Sequence, residues 1–157
     1  MRAKAHWIIA AGFGALSVLL LSAQTGRDVG GIQKRQPVMM TRLYTGPDGQ
    51  THAEEIEAKF TAGSPNEVFK LMTITGAELH RAKPGTVQDW HTAPRRQYVI
   101  TLSGEAELEV AAGKKIHVGP GNINLVEDTS GKGHITRVIG NQDRITLQLP
   151  LSDQSGK

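Results

Sequence analysis

The chain contains no cysteine, few aromatic residues and, beyond its first two dozen positions, no long apolar run. Each absence narrows what its 157 residues can do. Without cysteine there is no disulfide framework, no thiolate metal site and no cysteine nucleophile. Two Trp, two Tyr and three Phe make an aromatic content of 4%, too sparse for a base-stacking platform. Basic residues cluster only as the pairs Arg95–Arg96 and Lys114–Lys115 rather than as a stripe, so no nucleic-acid partner is expected. Nowhere after the start do apolar residues recur at helical spacing over a useful length. The length fits one ordinary domain and not two.

The start of the chain reads differently from the rest. Arg2, Lys4 and His6 form a basic end, Trp7 to Leu21 carries no charge, and small Ser22 and Ala23 precede polar Gln24 and Thr25. That is the order of a secretory signal peptide, residues 1–23, which predicts a periplasmic or secreted protein with no membrane association after cleavage. The apolar run falls short of the roughly 20 residues a spanning helix needs and is interrupted by Gly12, Gly14 and Ser17. An uncleaved membrane anchor is the alternative. Cleavage would remove Arg2 and Lys4 and no acid, so the 18 basic residues become 16 against an unchanged 15 acidic ones. A mature domain this close to neutrality makes the whole-chain pI of about 9.3 uninformative about partners. Residues 24–36 are polar and contain glycine, as a flexible linker does.

From Pro37 onward short β-rich runs alternate with turn residues. The expected strands are Val38–Tyr44, Glu54–Phe60, Phe69–Thr75, Glu78–Ala82, Tyr98–Leu102, Ala106–Val110, Lys115–Val118, Ile123–Val126, Ile135–Ile139 and Ile145–Leu149. Gly46-Pro47-Asp48-Gly49, Ser103-Gly104 and Gly119-Pro120-Gly121-Asn122 supply tight reversals between them. In Glu105-Ala106-Glu107-Leu108-Glu109-Val110 the carboxylates fall on one face and the apolar side chains on the other. This predicts a half-buried antiparallel strand whose glutamates face water. Many short strands without helices give an all-β fold: a sandwich, jelly roll or barrel. The domain is expected over 37–151, with residues 152–157 as a disordered tail.

The residues from Gly85 to Gly104 read Gly85-TVQDW-His91-Thr92-Ala93-Pro94-Arg95-Arg96-Gln97-YVITLS-Gly104. A Pro-Gly turn, Pro120-Gly121-Asn122, is followed by the run Ile123–Glu127 and the loop Asp128-Thr129-Ser130-Gly131-Lys132-Gly133 leading to His134. The two stretches resemble the first and second motifs of the cupin superfamily, over roughly Leu79 to Leu149. The wording is most similar to small single-domain bacterial cupins carrying WHxAPRRQ, LSGE and EDTxGxGH. These also share a Gly-x-x-His-x-Glu-Glu stretch, present as Gly49-Gln50-Thr51-His52-Ala53-Glu54-Glu55. The resemblance implies a single antiparallel β-barrel, the double-stranded jelly roll, around a small-molecule pocket. It also implies a homodimer formed through outer strands.

Metal-binding cupins use three histidines and a glutamate. His91 and His134 stand at two of those places, but Ala93 and Gln97 take the other two. Alanine has no ligating atom, and a glutamine carbonyl is a weak neutral ligand beside a carboxylate. A divalent ion (Fe, Mn, Zn or Ni) would then rest on His91, Gln97 and His134. Asp89, two residues before His91 and on the same face of an extended strand, could complete a 2-His-1-carboxylate set, or simply orient His91 or Arg95. His91 and His134 are the catalytic candidates, with or without metal, because imidazole titrates near neutrality. Arg95, Trp90, Glu127 and His52 are candidates for substrate binding. Arg95 and Arg96 have a structural alternative in pairing with Asp89, Glu127 or Asp128, and Trp90 has one in packing. His80 could line the pocket, and His117 belongs on the surface. The expected function is an exported cupin-domain protein with a polar small-molecule pocket, either a metal-dependent enzyme of dioxygenase or isomerase type or a metal-free binder without catalysis.

Overall fold

The structure is a computed structural model that describes residues 35–155. The expected signal peptide and nearly all of the linker lie outside the described residues. Apart from one short 3-10 turn at Ala111–Gly113, the regular structure of the described residues is all strand: β1 Met39–Thr45, β2 Thr51–Glu57, β3 Glu78–Ala82, β4 Val87–His91, β5 Gln97–Ser103, β6 Glu105–Glu109, β7 Lys115–Val118, β8 Ile123–Glu127, β9 His134–Ile139 and β10 Arg144–Pro150. The all-β class read from the sequence is the one observed.

Strand pairing defines the fold. β3 pairs with β10, β4 with β9, β5 with β8 and β6 with β7, all antiparallel. Partners stand equally far from the β6–β7 turn, so these strands form one long two-stranded ribbon. The ribbon is wound on itself so that β10 also pairs with β5, and β9 with β6. This divides the strands between two sheets, β2-β1-β8-β5-β10-β3 and β4-β9-β6-β7. A ribbon so wound is a double-stranded jelly roll. β1 extends the larger sheet by pairing parallel to β8 and carries β2 at its edge.

Two apolar clusters hold the sheets. Leu43, Ala93, Ala106, Leu108, Val110, Val118 and Val126 pack together, with Val99 and Ile116 against them. Met40, Ala58, Tyr98, Leu125, Leu149 and Leu151 form the second cluster with Phe69, Ile100, Ile123 and Leu147. Along β5 and β8 the two sets alternate, Val99 and Val126 in one and Tyr98 and Leu125 in the other, and Leu147 and Leu149 of β10 join the second. Successive side chains leave opposite faces of a strand. The larger sheet is therefore packed on both faces, and Ala58 and Phe69 of the stretch after β2 help to cover its outer one.

Two expectations differ from the structure. The segment Phe69–Thr75 is not a strand: the stretch between β2 and β3 contributes only the isolated bridges Thr61↔Val68 and Ile74↔Leu151. Gly63, Pro65 and Gly76 interrupt it, and Phe69 packs over the larger sheet while Phe60, Val68, Leu71, Met72 and Ile74 are exposed. β4 is absent from the expected strands, although the sequence places Asp89 and His91 on an extended segment. Val87-Gln88-Asp89-Trp90-His91 shows no regular alternation because its pairing to β9 shifts by one residue between Gln88 and His91, a bulge that inserts an extra residue into the strand. The acidic face of β6 is as expected, and each glutamate has a basic neighbour: Glu105 with His117 at 3.0 Å, Glu107 with Lys115 at 3.0 Å and Glu109 with Arg137 at 2.7 Å.

Candidate functional site

The space between the sheets is incompletely filled because several inward positions carry small or polar residues. It leaves a cavity of about 190 Å³ lined by residues of both sheets. From the smaller sheet come Gln88 and His91 of β4, Leu108 of β6, and His134 and Thr136 of β9. The larger sheet contributes Gln97 and Val99 of β5, Asn124 and Val126 of β8, Arg144 and Gln148 of β10, Leu43 of β1 and His80 of β3.

His91 and His134 meet because they are direct cross-strand partners, and their ring centroids are 4.5 Å apart with planes inclined at 53°. Gly133 allows the approach. Its φ is +77°, and a Cβ there would lie 2.0 Å from the His91 carbonyl oxygen, so only glycine fits. The Ala93 N–H donates to the Asp128 carbonyl at 3.0 Å, tying the first motif to the loop of the second.

Each ring is oriented through Nδ1. His134 Nδ1 is 2.6 Å from Oδ2 of Asp128, a residue with no exposed surface, and Thr51 Oγ1 donates to the same oxygen at 2.9 Å. Asp128 Oδ1 is buried without a hydrogen-bond partner. His91 Nδ1 donates to the Asp89 backbone carbonyl at 2.8 Å. A histidine that donates from Nδ1 keeps a lone pair on Nε2. Both Nε2 atoms are therefore the nitrogens available to the cavity. The two imidazoles are not equivalent, since a buried carboxylate backs His134 and only a neutral carbonyl backs His91.

The other candidates fall in three places. Gln97 lines the cavity, and its Oε1 accepts from Arg95 Nε at 3.2 Å. Arg95 itself also donates to Glu78 at 2.6 Å and is not among the cavity-lining residues. The β4 bulge takes Asp89 off the face of His91, so Gln88 lines the cavity beside it. The Asp89 carboxylate instead accepts from the Trp90 N–H at 2.9 Å. Trp90 lies away from the cavity with Lys132 Nζ 3.6 Å from its ring centroid. His52, near the start of β2, sits 3.0 Å from Asp48 of the β1–β2 turn.

Glu127 is held between two guanidiniums. It accepts from Arg42 Nε at 2.6 Å and from both Nε, at 3.0 Å, and the terminal NH2 of Arg96. Burial raises its pKa, but hydrogen bonds and charge from Arg96 and Arg42 outweigh this and hold the carboxyl below its ordinary value. Arg96 also donates to the carbonyls of Asp153 and Ser155, at 2.9 and 3.0 Å, which fastens the expected C-terminal tail as far as Ser155.

Five polar residues of the cavity wall were not picked out from the sequence: Gln88, Asn124, Thr136, Arg144 and Gln148. Asn124 is 2% exposed, and its Oδ1 has no partner. Arg144 donates from one terminal nitrogen to Thr101 Oγ1 at 3.2 Å, its Nε is buried without a partner, and burial lowers its pKa.

A metal can be tested against this donor set. Two imidazoles with Nε2 free and Nδ1 hydrogen-bonded behind them fit part of a metal site, since ligating histidines are oriented in this way. The four-ligand cupin set does not fit, because Ala93 offers no donor and the Gln97 oxygen is already shared with Arg95. Among the described residues no group of three or more His, Cys, Asp or Glu side chains could hold an ion.

No family model matches the chain, and no curated protein matches it. Among solved structures, the cupin domain of Schizosaccharomyces pombe Cnp3 is similar at 14% identity and a TM-score of 0.40, over 75% of this chain and 86% of that one. An ethanolamine utilization protein Q of Salmonella typhimurium is similar at 13% identity and a TM-score of 0.38, over 76% and 100%. The capsular polysaccharide assembling protein CapF of Staphylococcus aureus is similar at 13% identity and a TM-score of 0.38. The match covers 58% of this chain but only 29% of CapF, so the chain spans less than a third of that protein. The jelly-roll topology rests on the chain's own strand pairing.

Proposed function

We propose that the chain is an exported small-molecule protein whose ligand sits between the two sheets, against the Nε2 edges of His91 and His134, with His134 as the group that accepts a proton. The observation that carries this is the 2.6 Å contact of His134 Nδ1 with the fully buried Asp128 carboxylate. An imidazole so held has its free nitrogen toward the ligand, and the carboxylate behind it stabilises the imidazolium that forms when Nε2 takes a proton. His91, backed by a neutral carbonyl, orients the ligand by accepting a hydrogen bond. The chemistry of such a pair is proton transfer, which belongs with isomerisation rather than oxygenation. Export rests on the order of residues 1–23.

A second reading has its own observation. The same two Nε2 lone pairs, on rings 4.5 Å apart, could take one divalent ion. His91 and His134 would hold it, Gln97 would be a weak third donor, and the ion would supply Lewis acidity. Metal analysis of the purified protein separates the readings. Under the first, dialysis against a chelator leaves no stoichiometric metal and does not lower the melting temperature. Stoichiometric iron, manganese, zinc or nickel that survives dialysis in wild type and disappears in His91→Ala overturns it in favour of the second.

A further inference from the structure

Arg144 is an exception among the arginines of the domain. Arg42, Arg81, Arg95, Arg96 and Arg137 each lie within 4.0 Å of a carboxylate. Arg144 has no carboxylate partner among the described residues, and its one hydrogen bond goes to a neutral hydroxyl, Thr101 Oγ1. Its Nε is buried with no acceptor. A cation taken out of water without a counter-charge is costly, and the fold could have avoided the cost with an acid nearby. No Asp or Glu lines the cavity into which Arg144 opens. The other polar groups there are three histidines, a threonine and the amides of Gln88, Gln97, Asn124 and Gln148.

Those amides suit the same ligand. Arg95 already engages the Gln97 oxygen, and the Gln97 NH2 remains as a donor. Asn124 is 2% exposed and its amide oxygen has no partner. Which end of such an amide is oxygen is settled only by what it bonds, and it can present its NH2 to an acceptor instead. Burial lowers the Arg144 pKa with no carboxylate to raise it back, whereas at Arg42 hydrogen bonds and charge from Glu54 and Glu127 outweigh burial.

We propose that the cavity takes a small carboxylate and that Arg144 holds its charge, with the carboxylate replacing the counter-ion that the protein lacks. This rests on reading the cavity as a small-molecule site and adds the class of ligand. A guanidinium fork matches the two oxygens of a carboxylate. The volume of about 190 Å³ is below the roughly 300–1,000 Å³ of drug-sized sites, so the acid is small.

The test is an NMR titration of the labelled protein with acetate, benzoate and succinate, with acetamide, benzamide and succinamide as neutral matches and inorganic phosphate as a non-carboxylate anion, at constant ionic strength. The signals followed are the Arg144 Nε–H and the ring resonances of His91 and His134. The expected result is that at least one acid shifts all three groups and its amide does not. Arg144→Met should then weaken that acid by about 10- to 100-fold, as the loss of hydrogen bonds to a charged group implies. Arg144→Lys, which keeps the charge and loses the fork, should fall between, and it covers the case in which the methionine variant does not fold. Amides binding as well as acids, or phosphate alone binding, overturns the inference while leaving the small-molecule cavity in place. No response to any probe overturns both.

Discussion

Replacing Glu127 with glutamine tests whether this residue belongs to the scaffold or to the site. The Glu127 side chain is 10% exposed and that of Arg96 is 9% exposed, so the pair is desolvated, whereas Arg42 is 31% exposed and has Glu54 as a second partner at 2.8 Å. Breaking a buried pair from one side costs about 3–5 kcal/mol because the remaining charge is left unpaired. Arg96 would keep the carbonyls of Asp153 and Ser155, and the Asp153 carboxylate 3.4 Å away, and glutamine still accepts one hydrogen bond. The expected loss is therefore at the low end, about 3 kcal/mol at neutral pH. Arg42→Met, at the exposed side of the cluster, should cost about 1 kcal/mol. The pH dependence has a definite sign. The folded-state pKa of Glu127 is depressed, so its stabilisation is present above the ordinary glutamate value of about 4.3 and is lost as the pH falls through the folded value. Urea unfolding of wild type and Glu127→Gln at a series of pH values reads this directly. The gap between them should be widest near neutrality and close in acid. A variant within 1 kcal/mol of wild type at neutral pH, or one that keeps full stability and loses ligand, would refute the structural role and return Glu127 to the site.

Gly133→Ala forces a methyl onto the His91 carbonyl at a positive φ and should cost roughly 3 kcal/mol or prevent folding, read from the denaturation midpoint; a cost below 1 kcal/mol would mean the two histidine strands do not meet as described. In the neutral form both His91 and His134 should be the Nδ1–H tautomer, which nitrogen-15 shifts of the rings report, and an Nε2–H tautomer of either would overturn its assigned hydrogen bond. Leu43→Ala, at a side chain that is 1% exposed and borders the cavity, should lower stability by about 3 kcal/mol; calorimetry checks it, and a negligible change would place Leu43 outside the core. Gln97→Glu puts a carboxylate beside the two imidazoles and should create zinc binding measurable by calorimetric titration, and no gain would show that the histidines do not converge on a shared position.

Much of this arrangement could be read from residues alone. The β6 alternation, the turn glycines and the motif frame from Gly85 to Gly104 are local features, and local features survive tertiary packing. The encounter of His91 with His134 followed from resemblance and proved to be a strand register. What escaped notice has a physical reason in each case. A bulge changes the face on which a residue lies, and nothing in Val87-Gln88-Asp89-Trp90-His91 announces one, so Asp89 was placed where Gln88 stands. In β10 the residues Arg144, Ile145, Thr146, Leu147, Gln148 and Leu149 alternate as a surface strand does. The usual inference puts the polar face in water, but here Arg144 and Gln148 face the cavity and Leu147 and Leu149 pack on the other side. The coverage that inverts the rule comes from the stretch after β2, which the sequence reading assigned partly to a strand.

That inversion bears on what the missing cupin ligands mean. Had Ala93 and Gln97 been histidine and glutamate, the cavity would hold a donor set suited to a cation, and a nearby unpaired arginine would oppose it. With alanine and a glutamine held by Arg95, the wall carries no formal negative charge and one uncompensated positive one. The buried Asp128 carboxylate does not change this balance at the wall, because it is turned onto His134 and Thr51 behind the ring. Ala93, Gln97 and the unpaired state of Arg144 bear on one question, whether the cavity takes a metal cation or an organic anion, and they should be tested together.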